Sequence, residues 1–190
     1  MPNWAYTNYV IEGDLKEVES LKTKLDELKA MPEPLVPNGF GNLWLGCIVT
    51  ILGGDWNKVY CRGSIYDYYL DDGALWLNVE SAWDECSETR RLFQEKRPNL
   101  RVYYSTEEHG MEIYRTNDLE GKYFPDRYII DTESDGPECF TDLSDAALYA
   151  QALTGLEIEA SVENIRTAID RWITEGPDLR WASFHEFDVV

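Results

Sequence analysis

Leu15, Val18, Leu21, Leu25 and Leu28 fall on one stripe of a helix between Gly13-Asp14 and Met31-Pro32, with Lys and Glu near balance on the opposite face. Directly ahead of it Tyr9 and Ile11 alternate with Val10, the period of a strand, and Gly13-Asp14 separates the two patterns. A strand that feeds a helix across a short polar turn is the first βα unit of an α+β domain.

The following residues extend that reading. Pro32, Pro34, Pro37, Gly39 and Gly41 mark a stiff loop, after which Trp44, Leu45, Ile48, Val49 and Leu52 recur at helical spacing. This predicts a short buried helix over about 42–53, capped by Asn42 and closed by Gly53-Gly54, although Ile48-Val49-Thr50-Ile51 also suits a strand. Between Val59 and Trp83 two β-rich runs, Ile65 to Leu70 and Ala74 to Val79, flank Asp71-Asp72-Gly73 and predict a hairpin with Leu75, Leu77 and Val79 on one face. A helix is predicted over Asp84 to Lys96, stopped by Pro98, with Cys86, Thr89 or Arg90, and Phe93 inward. Strands follow at Leu100 to Thr106, Met111 to Arg115 and Tyr123 to Ile130.

The order strand, helix, two-stranded hairpin, helix, strand is that of a ferredoxin-like split βαβ sandwich, here with an inserted helix and extra strands over 1–131. Residues 132–190 read as an acidic linker and a helical extension packed on the domain of residues 1–131, the acidic run extending over Asp131 to Asp145. Its helices are Ser144 to Leu153, ended near Gly155, and Ser161 to Glu175, ended by Gly176-Pro177. The second aligns Val162, Ile165, Ile169, Trp172 and Ile173, and Phe184 to Val190 suits an edge strand.

Charge restricts function more than any motif does. The net −19 is uneven: residues 1–102 hold 16 acids and 11 bases (−5), and 103–190 hold 20 acids and 6 bases (−14). Such a field repels phosphate backbones and attracts basic protein surfaces, which disfavours direct nucleic-acid binding, so none is expected, and points to a basic protein partner. The blander role of the charge is solubility for a chain that is 44% hydrophobic. Cys47, Cys61, Cys86 and Cys139 show no CxxC pair, so buried reduced thiols and a cytoplasmic setting are expected. The longest apolar stretch, Leu43 to Leu52, is too short to span a bilayer, so no membrane association is expected.

Met1-Pro2-Asn3-Trp4 with Asn8 and Gly13, Leu52-Gly53-Gly54-Asp55-Trp56, Cys61-Arg62-Gly63-Ser64, Ser81-Ala82-Trp83, and Thr116-Asn117-Asp118 with Gly121-Lys122-Tyr123-Phe124-Pro125 resemble the YubB-type ferredoxin-like domain family over about 1–131. The resemblance implies the fold and the setting of a bacterial plasmid, phage or conjugative element. It carries no catalytic residues over. Many members have Cys after the Trp, where this chain has Ala5, which removes a thiol or metal role there.

Four groups of residues are candidate sites. Asp131, Glu133, Asp135, Glu138, Asp142 and Asp145 form an acidic surface for a basic partner, in its most specific form a DNA mimic. Glu80, Asp84, Glu107, Glu108 and His109, with Glu85, form an alternative carboxylate cluster able to hold Mg²⁺ or Mn²⁺ for hydrolysis with His109 as base. Against this, Asp84 and Glu85 suit a helix N-terminus, and Glu107 and Glu108 a solvated turn. The aromatics Tyr66, Tyr68, Tyr69, Trp76, Tyr103, Tyr104 and Tyr114 suit a stacking platform for single-stranded bases, but Arg62, Arg101 and Arg115 are outnumbered by nearby acids, which favours ordinary cross-strand packing. Asn3 and Trp4 are a ligand contact or, more simply, strand-edge packing. No iron–sulfur, zinc, phosphate-loop or dinucleotide pattern is present, and no cofactor is expected.

Overall fold

The computed structural model describes residues 3–176 and 179–190, so Met1-Pro2 of the opening tetrapeptide and Pro177 lie outside the described residues. The chain is α+β and divides into two compact units, 1–117 and 118–190.

In the first unit the elements are β1 (Trp4–Gly13), α1 (Leu15–Ala30), α2 (Leu45–Ile51), β2 (Gly63–Asp71), β3 (Ala74–Ala82), α3 (Ser87–Lys96), β4 (Leu100–Glu108) and β5 (Ile113–Thr116). The strands lie in the order β2-β3-β1-β4-β5, each pair antiparallel. Pairing Thr7 with both Val79 and Thr106, and Ile11 with both Leu75 and Val102, puts the odd-numbered residues of β1 on the face covered by helices. There Val18, Leu21, Leu25 and Leu28 of α1 pack with Tyr9, Ile11, Leu75 and Val79, joined by Cys47, Ile48 and Val49 of α2 and Phe93 of α3. Leu15, the first residue of the predicted stripe, is instead 52% exposed, because it precedes the turn of α1 that meets the sheet. Asp14 caps this helix, accepting from the Lys16 and Glu17 amides at 3.1 and 3.2 Å.

Two local expectations change, and the expected hairpin holds. Asn42 does not cap α2, whose cap position is Trp44; its side chain donates to the Lys29 and Met31 carbonyls, tying the loop back to the end of α1. The helix expected from Asp84 starts at Ser87, since Glu85 is drawn into the protein by a buried partner described below. In the β2–β3 hairpin Asp72 and Gly73 both have positive φ (43° and 76°), as a twist-matched two-residue turn requires, and Tyr66 is the extra residue of a β-bulge.

Asn117 extends β5 by side-chain imitation of a strand. Its Oδ1 accepts from the Tyr104 amide at 2.7 Å and its Nδ2 donates to the Val102 carbonyl at 2.8 Å. In the second unit Asp118 is buried and accepts from the Tyr123 and Phe124 amides at 2.6 and 2.9 Å. Burial alone would raise its carboxyl, but those amides hold it below the ordinary Asp value. Arg127 clips the same loop by donating to the Phe124, Asp126 and Asp118 carbonyls, each at 2.8 Å.

The rest of the second unit comprises β6 (Tyr128–Thr132), β7 (Gly136–Phe140), α4 (Leu143–Thr154), α5 (Val162–Glu175), β8 (Ala182–Glu186) and the two-residue β9 (Asp188–Val189), with β6, β7 and β8 in the order β7-β6-β8. The acidic stretch from Asp131 is therefore not a linker: most of it is a hairpin turning at Gly136, whose φ is 77°, and the remainder opens α4. Ile129 and Ile130 are fully buried and anchor it. The alanine face of α4 (Ala146, Ala147, Ala150) and Ile165 and Ile169 of α5 share a core with Ile130 and Phe184. Ser161 caps α5, and Gly155 ends α4 in the left-handed conformation. Among the described residues no helix is long and apolar enough to cross a membrane.

Leu25→Ala is expected to lower the unfolding free energy by about 2–5 kcal/mol, whereas Leu15→Ala shifts it by no more than about 0.5 kcal/mol, as read by urea unfolding.

Candidate functional site

The carboxylates expected to converge are distributed by the register of β1. Glu80 and Glu107 both pair opposite Tyr6, one on each side of β1, so they share a sheet face but stand two strand spacings apart, about 9–10 Å. Asp84 is engaged by Arg115, with Nη1 to Oδ2 at 2.6 Å. Glu108 is buried and folds onto its own turn, accepting from the Gly110 and Met111 amides at 2.9 and 2.6 Å. His109 lies between Tyr114 (Nδ1 to Oη, 3.1 Å) and Glu107 (Nε2 to Oε2, 3.8 Å). Among the described residues no three His, Cys, Asp or Glu side chains come together as a metal site.

The aromatic set is split between the two sheet faces. Tyr68 and Tyr104 look toward the helices: Tyr68 donates to Asp26 of α1 at 2.9 Å, and Tyr104 lies under the Arg90 guanidinium, 4.6 Å from ring centroid to Cζ. Tyr69 and Trp76 stack across β2 and β3 on the other face, centroids 6.0 Å apart and planes within 4°. Tyr6, Tyr66 and Tyr69 are exposed there, but Arg115 pairs with Thr106 in the register and so belongs to the helix face, which removes one of the three cations a base-stacking platform would use.

The pairing of Glu85 with Arg90 inside the first unit has no local signature in the sequence, although Arg90 is one of the two inward choices on its helix. Glu85 is 6% exposed and is forked by Arg90 (Nη2 to Oε1 at 2.8 Å, Nε to Oε1 at 3.1 Å), while Tyr9 donates its hydroxyl to Oε2 at 2.8 Å. Burial, and then the Glu85 charge, pushes the Tyr9 phenol well above its ordinary value. Beside it, burial raises the Cys86 thiol to about 12. Cys47 and Cys61 are buried as expected, whereas Cys139, on the edge strand β7, is exposed.

The acidic surface lies wholly in the second unit, which holds 17 Asp and Glu against 5 Lys and Arg, a net −12. Asp131 is half-buried on β6, but Glu133 and Asp135 in the hairpin turn, Glu138 on β7, and Asp142 and Asp145 at the start of α4 are all exposed. No Lys or Arg occurs between Arg127 and Arg166. The turn is ordered by Thr132, which accepts from the Asp135 amide at 3.1 Å, and by Ser134, which donates to Asp135 at 2.9 Å.

A cavity of about 320 Å³ lies at one end of the open face of the first unit. Trp4, Phe40 and Trp44 wall it, Arg62, Ser64 and Glu80 supply its polar edge, and Ala82 keeps its floor low. Trp44 bridges to Ser64 and stacks on Phe40 (6.1 Å, 29°) and edge-on against Trp56 (5.5 Å, 70°). Gly46 makes this possible, since a Cβ there would collide with the Trp44 ring. Asn38 holds Phe40 in place by accepting from the Phe40 and Gly41 amides at 2.6 and 2.8 Å.

No family model, curated protein or solved structure matches the chain.

Glu85→Gln would leave the half-buried Arg90 guanidinium without its counterion and is expected to cost at most about 3–5 kcal/mol in urea unfolding. Cys86 and Tyr9 have folded values above their unfolded ones, so the stability they contribute is complete below pH 9 and is lost as pH rises toward 12; Cys86→Ala should flatten that decline. In native alkylation mapped by mass spectrometry, Cys139 should react first and Cys86 only on unfolding.

Proposed function

We propose that this chain is a non-enzymatic interaction module that presents the acidic surface of its second unit to a basic protein surface, in the setting of a bacterial mobile element. The observation that carries this is the side-chain placement on the β6–β7 hairpin and the first turn of α4. Five exposed carboxylates, Glu133, Asp135, Glu138, Asp142 and Asp145, stand on ordered backbone within a stretch that contains no Lys or Arg. A solubilising charge requires no such order, whereas a binding surface gains from it, because fewer side chains must be immobilised on association. Charge of one sign on one unit also steers a basic partner and speeds its encounter. The most specific form is a decoy that occupies the nucleic-acid site of a basic protein.

For the first unit we propose membership of the YubB-type ferredoxin-like domains. With α2 set aside, the elements run strand, helix, strand, strand, helix, strand, and the order β2-β3-β1-β4 supports a split βαβ sandwich. The mobile-element setting rests on the resemblance of the quoted segments. The hydrolase alternative has no observation in its favour, since Asp84 and Glu108 are already engaged by Arg115 and by backbone amides.

Immobilised wild type should retain a basic nucleic-acid-binding protein from a bacterial lysate at low salt, release it as surface charge is screened, and lose it to added duplex DNA. A variant with Glu133, Asp135, Glu138, Asp142 and Asp145 changed to Gln or Asn should retain none. Identical profiles for the two proteins would sink the proposal.

A further inference from the structure

We infer that the cavity walled by Trp4, Phe40 and Trp44 is a binding site for a free aromatic α-amino acid. Its polar edge is set by strand register. The Ala82 amide donates to the Arg62 carbonyl at 2.9 Å and Ser64 pairs with Glu80, so Arg62 and Glu80 are diagonal neighbours on one face of β2 and β3. Among the described residues neither side chain has a hydrogen-bond or ion-pair partner, although they carry opposite charge and border the same cavity. A guanidinium and a carboxylate held side by side and unpaired complement a ligand that carries both charges: Arg62 takes the α-carboxylate in a forked contact, and Glu80 takes the α-ammonium.

The remaining surface selects the side chain. Three aromatic walls over a floor set by Ala82 accept a flat ring by offset or edge-on packing. About 320 Å³ lies at the small end of the roughly 300–1,000 Å³ typical of small-molecule sites, which suits an amino acid and not a nucleotide. The −19 of the whole chain opposes phosphorylated or dicarboxylate ligands, whereas a zwitterion of zero net charge meets no such penalty. A residue at either end of a peptide keeps only one of the two α-charges, so the pair Arg62 and Glu80 discriminates in favour of the free amino acid. The site lies entirely within residues 4–82 and is independent of the acidic surface of the second unit.

Calorimetric titration of the full chain with L-phenylalanine, L-tryptophan, phenethylamine and 3-phenylpropionate tests this. Saturable binding of at least one of the two amino acids is expected, with both single-charge analogues weaker than L-phenylalanine by about tenfold or more. Arg62→Gln should reduce L-phenylalanine to the affinity of phenethylamine while leaving phenethylamine unchanged, and Glu80→Gln should do the converse against 3-phenylpropionate. Trp4→Ala should weaken every ligand that binds, with far-ultraviolet circular dichroism confirming that each variant is folded. Absence of saturation by both amino acids up to about 10 mM, equal affinity for the zwitterions and their single-charge analogues, or indifference to both charge substitutions would overturn the inference.

Discussion

Strand β1 has a hydrogen-bonded neighbour on each side along most of its length, and its register governs both faces of the first unit. Its odd positions, Ala5 to Ile11, are buried against helices, while the even positions include the exposed Trp4 and Tyr6. A slip of one residue would exchange these sets, bringing Trp4 and Tyr6 under the helices and moving Tyr9 away from Glu85. The buried charge, the separation of Glu80 from Glu107 and the position of Trp4 at the cavity are thus consequences of a single pairing choice.

The Glu85–Arg90 pair gives that choice a polar check. A buried ion pair contributes little net stability over an apolar substitute, but leaving one member unmatched is heavily penalised. Because Tyr9 completes the shell of Glu85 from the central strand, and Arg90 lies over Tyr104 of the neighbouring strand, misregistered arrangements strand a charge in the core.

Legibility in the sequence followed the range of the interactions. Helices α1, α4 and α5 were readable because their apolar periodicity and their caps, Asp14, Gly155 and Ser161, lie within the same few turns. The β2–β3 hairpin was readable from Asp72-Gly73. The β6–β7 hairpin was not, because its acids dominate the composition although Asp135-Gly136 is itself a turn signal and Ile129-Ile130 a core strand. Glu85 stands out only as a surface carboxylate, because its partners are Arg90 five positions on, outside helical i,i+4 spacing, and Tyr9 seventy-six positions away. The cavity draws on β1, the loop before α2, β2 and β3, and only Trp4 among its walls could be singled out beforehand.

The glycine behind Trp44 ties the shape of the cavity to a helix that contributes no side chain to it. Any side chain at 46 unseats the indole, and with it the Phe40 ring stacked on its far side. In chains descended from a common ancestor, rim positions such as Arg62 and Glu80 are therefore free to drift with ligand preference, while position 46 is bound to the tryptophan it accommodates. Glycine and tryptophan two residues apart at the start of this helix should outlast the charges at the rim, and would mark the cavity in relatives whose ligand has changed.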